Sequence, residues 1–158
     1  MKTDTLIQEI ENCFPYVEKP QGLALPFHKK GCHQCEFLVE DLEPYKEQQI
    51  PEKGIREAYT EMSCLSAKGW RWVLPSYLRL CVLSVEESRD FTEFLIYNLS
   101  PAEAHRAGAT ERLSELNQEQ LNCILSFLNW CQISEHWVSK YCPENVAQAV
   151  VFINELKA

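Results

Sequence analysis

Apolar side chains recur at helical spacing through most of the chain. The clearest stretch follows Asn117, where four apolar positions are spaced i, i+3, i+4 and i+7 and therefore lie on one face of a helix. These positions are Leu121, Ile124, Leu125 and Leu128. Asn117 and Gln120 form a capping box at the start of this segment. The pattern predicts a helix from residue 117 to at least residue 128, with its apolar face buried.

The same spacing, combined with capping residues and prolines, predicts further helices. They cover about residues 6–14, 37–42, 55–62, 66–83, 90–98 and 143–153. Thr5 with Gln8 and Asp90 with Glu93 resemble capping boxes. Pro75 lies inside the most apolar segment, where the missing backbone hydrogen bond predicts a kink or a break near residue 74. Residues 101–112 are polar and predict a surface loop.

Two tryptophans, Trp70 and Trp72, lie two positions apart in the predicted central helix. On a helix such residues point about 200° from each other. Both can be buried only if the helix is surrounded on all sides, and the sequence leaves open whether one of them is exposed.

Residues 15–31 fit neither the helical nor the strand period. They contain three prolines and two glycines, a composition that predicts an irregular N-terminal arm. The whole chain has only five glycines, and glycine is the residue that most weakens helices after proline. The sequence therefore predicts an all-α protein. We expect residues 1–158 to form a single compact domain of six or seven helices.

Charge and targeting signals narrow the classes of partner. The formal net charge is −8, from 15 basic and 23 acidic residues, and such a surface repels nucleic-acid phosphates. The first 14 residues lack the apolar run of roughly 7 to 15 residues that a signal peptide needs. The longest uncharged run, 121–134, is shorter than the roughly 20 residues that cross a bilayer. We expect a cytoplasmic protein with neither a nucleic-acid nor a membrane partner.

Eight cysteines are the chemically distinctive feature of the composition. In the reducing cytosol they are expected to be buried thiols, metal ligands or redox centres rather than disulfides. Cys81 and Cys123 lie in apolar helical runs, and burial in the core is enough to explain their presence. The sequence does not assign a role to four others, which are Cys13, Cys64, Cys131 and Cys142.

Cys32 and Cys35 are separated by two residues, the spacing at which two sulfurs can bind one zinc ion. His28 and His33 are near enough in sequence to supply a third ligand, and Gly31 provides the backbone freedom for a tight turn. A fourth ligand has to come from a distant part of the chain. The available donors are Cys13, Cys64, His136 and Cys142.

Two other interpretations of the Cys-x-x-Cys pair stay open. The two thiols could be reduced and hold no cofactor, because a strong zinc motif has a second pair of ligands at a defined spacing. A redox pair of the thioredoxin type normally follows a β-strand, and no strand pattern precedes Cys32. No motif of a familiar enzyme class occurs elsewhere, so an enzyme is disfavoured.

Several packing motifs resemble those of a bacterial family of small uncharacterised proteins. The resemblance rests on the aromatic-rich segment ending in Leu74-Pro75-Ser76-Tyr77-Leu78, on the segment 91–101, and on the later Gln118-Glu119-Gln120 with Phe127-Leu128. Some members of that family also carry an upstream Cys-x-x-Cys, which corresponds to Cys32 and Cys35 here. The resemblance implies no activity and no catalytic residues.

These observations favour a non-enzymatic protein-binding module, with zinc stabilising its N-terminal arm. Its size and acidity are similar to those of immunity proteins, which neutralise basic toxins and use complementary charge to speed association. The alternative is a metal- or thiol-dependent enzyme that uses Cys32 and Cys35, with His28 or His33 as a ligand or proton-transfer group. A third hypothesis is a homodimer whose aromatic helix completes its core across the interface.

Overall fold

The computed structural model describes residues 1–84 and 89–158, and within these residues every regular element is helical. The prediction of an all-α protein is confirmed, but the predicted six or seven helices are too few. The described residues form nine α-helices. These are α1 (Thr3–Cys13), α2 (His33–Leu42), α3 (Glu52–Ala58), α4 (Ala67–Leu83), α5 (Arg89–Leu99), α6 (Arg106–Arg112), α7 (Gln118–Ile133), α8 (Trp137–Tyr141) and α9 (Pro143–Lys157).

Helix α4 is the buried centre of the fold. The Ser66 hydroxyl accepts a hydrogen bond from the Gly69 amide at 3.0 Å and caps the helix. Trp70 and Trp72 are both buried, and α1, α3 and α6 are among the elements that pack against this helix. The helix is not buried along its whole length, since Lys68, Arg79 and Leu83 are exposed. Pro75 does not break it, because α4 is one element of 17 residues.

Helix α7 begins with the predicted capping box. The Asn117 side chain accepts from the Gln120 amide at 2.9 Å, and the Gln120 side chain accepts from the Asn117 amide at 3.0 Å. Of the four predicted apolar positions, Leu121, Ile124 and Leu128 are buried and Leu125 is half-buried, and α7 packs against α1, α8 and α9. Pro143 begins α9, where its missing amide hydrogen costs nothing.

Four local predictions are wrong. Residues 101–112 are not a loop but a 3-10 turn, Glu103–His105, followed by α6. The segment lacks large apolar residues, so it shows no helical apolar pattern. Its alanines favour a helix, and Ala109 is the one residue of α6 that is buried. Helix α8 was not predicted. Finally, α1 is capped by Lys2 rather than Thr5, and Asp90 lies inside α5 rather than at its cap.

The irregular arm, residues 15–31, lies against the segment that leads into α4. The Phe27 amide donates to the Cys64 carbonyl at 2.6 Å, and the Ser66 amide donates to the Leu25 carbonyl at 2.9 Å. A Cβ atom at Gly69 would lie 2.8 Å from the Leu25 carbonyl oxygen, so glycine permits this close approach. The pairing brings the end of the arm beside Cys64. In the described part of the chain, no helix is both long and apolar enough to cross a membrane.

Candidate metal centre

The Cys-x-x-Cys pair lies at the start of α2. Gly31 has a φ of +72°, a conformation that glycine adopts without strain, and it turns the chain into the helix. Cys32 is the N-cap residue of α2 and Cys35 lies in its first turn. This places Cys32 half-buried at the helix end and Cys35 buried behind it.

His28, at the end of the arm, completes a group of three metal-binding side chains. Its Nδ1 atom lies 3.5 Å from the Cys35 sulfur, and the ligand atoms of His28, Cys32 and Cys35 all lie within 4.8 Å of one another. Two ligands of a tetrahedral zinc ion lie about 3.5–3.8 Å apart, given zinc bond lengths of about 2.0–2.3 Å. The three side chains could therefore hold a metal ion after small rotamer changes.

Cys64 is the distant donor that reaches this group. It is buried at the end of the 3-10 turn Tyr59–Cys64, and its thiol interacts with those of both Cys32 and Cys35. Burial, followed by the two neighbouring thiols, raises the pKa of Cys64 to about 12. Hydrogen bonding to the backbone and thiol of Cys35 lowers the pKa of Cys32. We call His28, Cys32, Cys35 and Cys64 the thiol–histidine cluster.

His33 lies outside this cluster. Its side chain is 86% exposed and its Nδ1 atom lies 3.2 Å from Glu36. The reason is helix geometry, because residues two apart on a helix point about 200° from each other. With Cys35 directed into the protein, His33 has to face solvent.

The other predicted fourth ligands occupy different environments. Cys13 is grouped with Glu9 and Cys123 on the α1 and α7 side of the fold. Buried His136 caps α8, accepting from the Val138 amide at 3.1 Å, and Cys142 approaches Glu93. Of the four candidates, only Cys64 lies beside the Cys-x-x-Cys pair.

Arg112, which the sequence did not single out, lies next to the thiol–histidine cluster. Its guanidinium carbon lies 4.2 Å from the centre of the Phe27 ring. The guanidinium group interacts electrostatically with the Cys64 and Cys35 thiols. A divalent ion with three thiolates and a neutral histidine has a net charge of −1. Arg112 is placed to offset that charge. It lies at the end of α6, in a segment that the sequence pattern predicts to be a loop.

A groove of about 420 Å³ runs between the arm and α2 and is lined by His28, Cys32 and Cys35. It connects the cluster with solvent and provides a route for an ion. A larger groove, of about 1000 Å³, lies between α5, α6 and α9 and contains no cysteine. The chemistry of the cluster therefore belongs to the smaller groove.

Comparisons with known proteins give a family but no activity. No curated protein and no solved structure matches the chain. A family model matches residues 2–147, and the expected relationship to an uncharacterised family is confirmed at that level. The match covers most of the sequence, including all four members of the thiol–histidine cluster, and the chain therefore belongs to DUF6714, a family of unknown function.

Proposed function

We propose that this protein is a non-enzymatic protein-binding module of the bacterial cytoplasm, in which a structural zinc ion fastens the N-terminal arm to the helical body. The ligands would be His28, Cys32, Cys35 and Cys64. The observation that carries the proposal is the group formed by His28, Cys32 and Cys35, whose ligand atoms all lie within 4.8 Å of one another. Cys64 does not belong to that group, but its thiol interacts with the two cysteines and would be the fourth ligand.

The chemistry of the donor set favours zinc. Thiolate and imidazole ligands select zinc over magnesium or calcium, which prefer oxygen. Four protein ligands fill a tetrahedral zinc site and leave no position for substrate, which is the arrangement of a structural site. A Cys₃His set with Arg112 offsetting its charge therefore suits a stabilising role.

The location of the cluster explains what the ion would stabilise. His28 belongs to the arm, Cys32 and Cys35 begin α2, and Cys64 ends the turn before α4. Two backbone hydrogen bonds, at Phe27 and Ser66, pair the arm with residues 64–66 and form the bridge between Pro26 and Leu65. The Ser66 hydroxyl adds a hydrogen bond to the Ala24 carbonyl. A shared ion would hold all three segments together.

The outer face of α2 is the best candidate for the partner-binding surface. Glu36, Glu40 and Glu43 are exposed, and Phe37 between them is 54% exposed. Exposed aromatic side chains contribute strongly to interfaces, and the acidic groups would attract a basic partner. The net charge of −8 acts in the same direction. Because α2 also carries Cys32 and Cys35, the ion would fix the position of this face.

Metal analysis tests the zinc site directly. Protein purified without chelators is expected to contain zinc at the thiol–histidine cluster, and X-ray absorption should show three sulfur ligands and one nitrogen ligand. Cys64→Ser should lose this zinc, whereas Cys131→Ser, which alters a buried thiol elsewhere, should retain it. Wild-type protein without zinc, with Cys32 and Cys35 freely reactive, would contradict the proposal.

Affinity capture from the native host tests the binding face. We expect a basic protein to be retained by wild-type protein at low salt and released at high salt, because screening weakens electrostatic attraction. Phe37→Ser combined with Glu40→Lys should abolish capture. Val151→Ser, which changes an exposed apolar residue on α9, serves as the matched control. Equal capture by both variants would contradict the assignment of the face.

A thiol-dependent enzyme is the second candidate function, and one observation favours it. Cys32 caps the N-terminus of α2, where the helix dipole stabilises a thiolate. Against it, the described chain before α2 contains an isolated bridge rather than a strand. Rapid alkylation of Cys32 in zinc-replete protein would favour the enzyme, since a zinc-bound thiolate is protected.

Light scattering would separately test the homodimer hypothesis, which predicts a mass twice the 18.4 kDa of one chain.

A further inference from the structure

A second group of side chains that could bind a metal lies at the contact between α1 and α7. Glu9 and Cys13 are four residues apart on α1 and therefore share one face of that helix. Cys123 approaches them from α7. The carboxylate oxygen and the two sulfurs all lie within 4.8 Å of one another. We call these three residues the carboxylate–thiol group.

Cys123 lies in an apolar run of α7, and that pattern predicts only that its side chain is buried. The side chain is indeed buried, but it faces two polar donors rather than only apolar neighbours. Its thiol interacts with that of Cys13. The contact joins residues that are 110 positions apart, so no local sequence pattern could reveal it.

The surroundings of the group suit a cation. The Ser126 hydroxyl donates a hydrogen bond to Glu9 at 2.8 Å, and contacts of this kind orient metal-binding carboxylates. Within the described ranges, no lysine or arginine forms an ion pair with Glu9. Among the described residues, three groups that can each become an anion therefore face one another, and the carboxylate has no ion pair to a basic side chain.

The group is also open to solvent on one side. Glu9 and Cys13 are only half-buried, and a shallow groove along α1 connects them with the exterior. Its other lining residues are polar: they are Asp4, Thr5, Gln8 and Asn12. An ion held by three protein ligands would keep a fourth position for water or another small ligand, as catalytic rather than structural zinc sites do.

We propose that Glu9, Cys13 and Cys123 form a second metal site, which takes a thiophilic divalent cation such as Zn²⁺ and leaves one coordination position open. Binding releases the two thiol protons to solvent and leaves a site with two thiolates, one carboxylate and one exchangeable ligand. The site shares no residue with the thiol–histidine cluster and is independent of it.

A metal site accounts for this group better than a disulfide does. Disulfide formation requires a thiolate to attack and an oxidant to accept two electrons. Metal binding needs no oxidant. The Glu9 carboxylate, which plays no part in a disulfide, becomes a ligand beside the two sulfurs when a cation is present.

The experiment is a titration of metal-free, reduced full-length protein with Co²⁺, followed by competition with Zn²⁺. Thiolate-to-cobalt charge-transfer absorption reports binding, and elemental analysis after desalting gives the number of ions per chain. Glu9→Gln and Cys13→Ser remove one ligand each at half-buried positions. Cys142→Ser is the matched control, since Cys142 is a half-buried thiol beside Glu93.

We expect the wild type and Cys142→Ser to bind one ion more per chain than Glu9→Gln and Cys13→Ser, with unchanged circular dichroism. Ser126→Ala should weaken binding of this ion about 10-fold, the effect of removing a hydrogen bond to a ligand. Equal metal content in all four proteins would overturn the proposal. A Cys13–Cys123 disulfide in peptides from freshly purified protein would overturn it too. Loss of the thiol–histidine cluster by Cys32→Ser should leave this extra ion in place.

Discussion

Removing metal from the thiol–histidine cluster is expected to destabilise the whole protein. The perturbation is a chelator that competes for zinc, applied to wild-type protein and to Cys64→Ser. The proposed ion would join the arm, the start of α2 and the end of the 3-10 turn before α4, and the unfolded chain cannot present these donors together. Binding to the folded state alone therefore adds directly to the free energy of unfolding.

The size of the effect follows from linkage. With free zinc at 1,000 times the dissociation constant, the bound ion adds about 4 kcal/mol to the free energy of unfolding. For a domain of this length, 1 kcal/mol changes the melting temperature by about 2–4 °C. Chelation should therefore lower the melting temperature of the wild type by about 8–16 °C.

Cys64→Ser separates the metal effect from the cost of the substitution itself. A serine hydroxyl in a buried position costs about 1–3 kcal/mol when it lacks a partner, and Cys131→Ser measures a similar cost at a site without metal-binding neighbours. We expect Cys64→Ser to melt at a temperature that the chelator does not change. Cys131→Ser should respond to the chelator as the wild type does.

Differential scanning calorimetry measures the melting temperatures, and hydrogen exchange locates the change. The Phe27 and Ser66 amides, which pair the arm with residues 64–66, should lose protection first after chelation. A wild-type protein whose melting temperature is the same with and without chelator would refute the reasoning. So would a chelator effect of equal size in Cys64→Ser.

Three further predictions concern other parts of the fold. Burial lowers the pKa of His136 to about 4, so the unfolded state takes up a proton first as the pH falls below about 6.5. The free energy of unfolding should drop by about 3 kcal/mol between pH 6.5 and pH 4, at about 1.4 kcal/mol per pH unit, and urea denaturation of His136→Asn should show a smaller drop. Arg112→Gln should weaken zinc binding about 10-fold in a competitive titration, whereas Arg106→Gln, also on α6, should bind zinc like the wild type. Asn117→Ala removes the α7 cap and should cost about 1 kcal/mol, seen as a melting temperature lower by about 2–4 °C; an unchanged value would mean that Gln120 alone maintains the cap.

Local sequence patterns predicted the helices wherever the local signal and the tertiary environment agreed. Helix α7 has a capping box and a regular apolar face, and the structure contains both. Helix α6 has neither, because it buries only Ala109 and therefore has no apolar stripe. Short helices such as α8 depend on contacts made by the rest of the protein, since an isolated helix of five residues does not form in water.

In the thiol–histidine cluster, too, some features follow from local sequence and others from tertiary packing. The Cys32–Cys35 spacing and the turn at Gly31 are local features, and they identified half of the thiol–histidine cluster. The choice of His28 over His33 depends on which side of α2 faces the protein. The addition of Cys64 depends on the pairing between the arm and residues 64–66.

The sequence by itself determined the helical class, most helix positions, the acidic charge and the presence of a paired-cysteine motif. All of these follow from interactions between residues that are near one another in the chain, or from composition. Only the tertiary structure decided which donors share a candidate site, because Cys64 and Cys123 lie 29 and 110 residues from Cys35 and Cys13. Packing sets those distances, and neither spacing nor periodicity carries information about them.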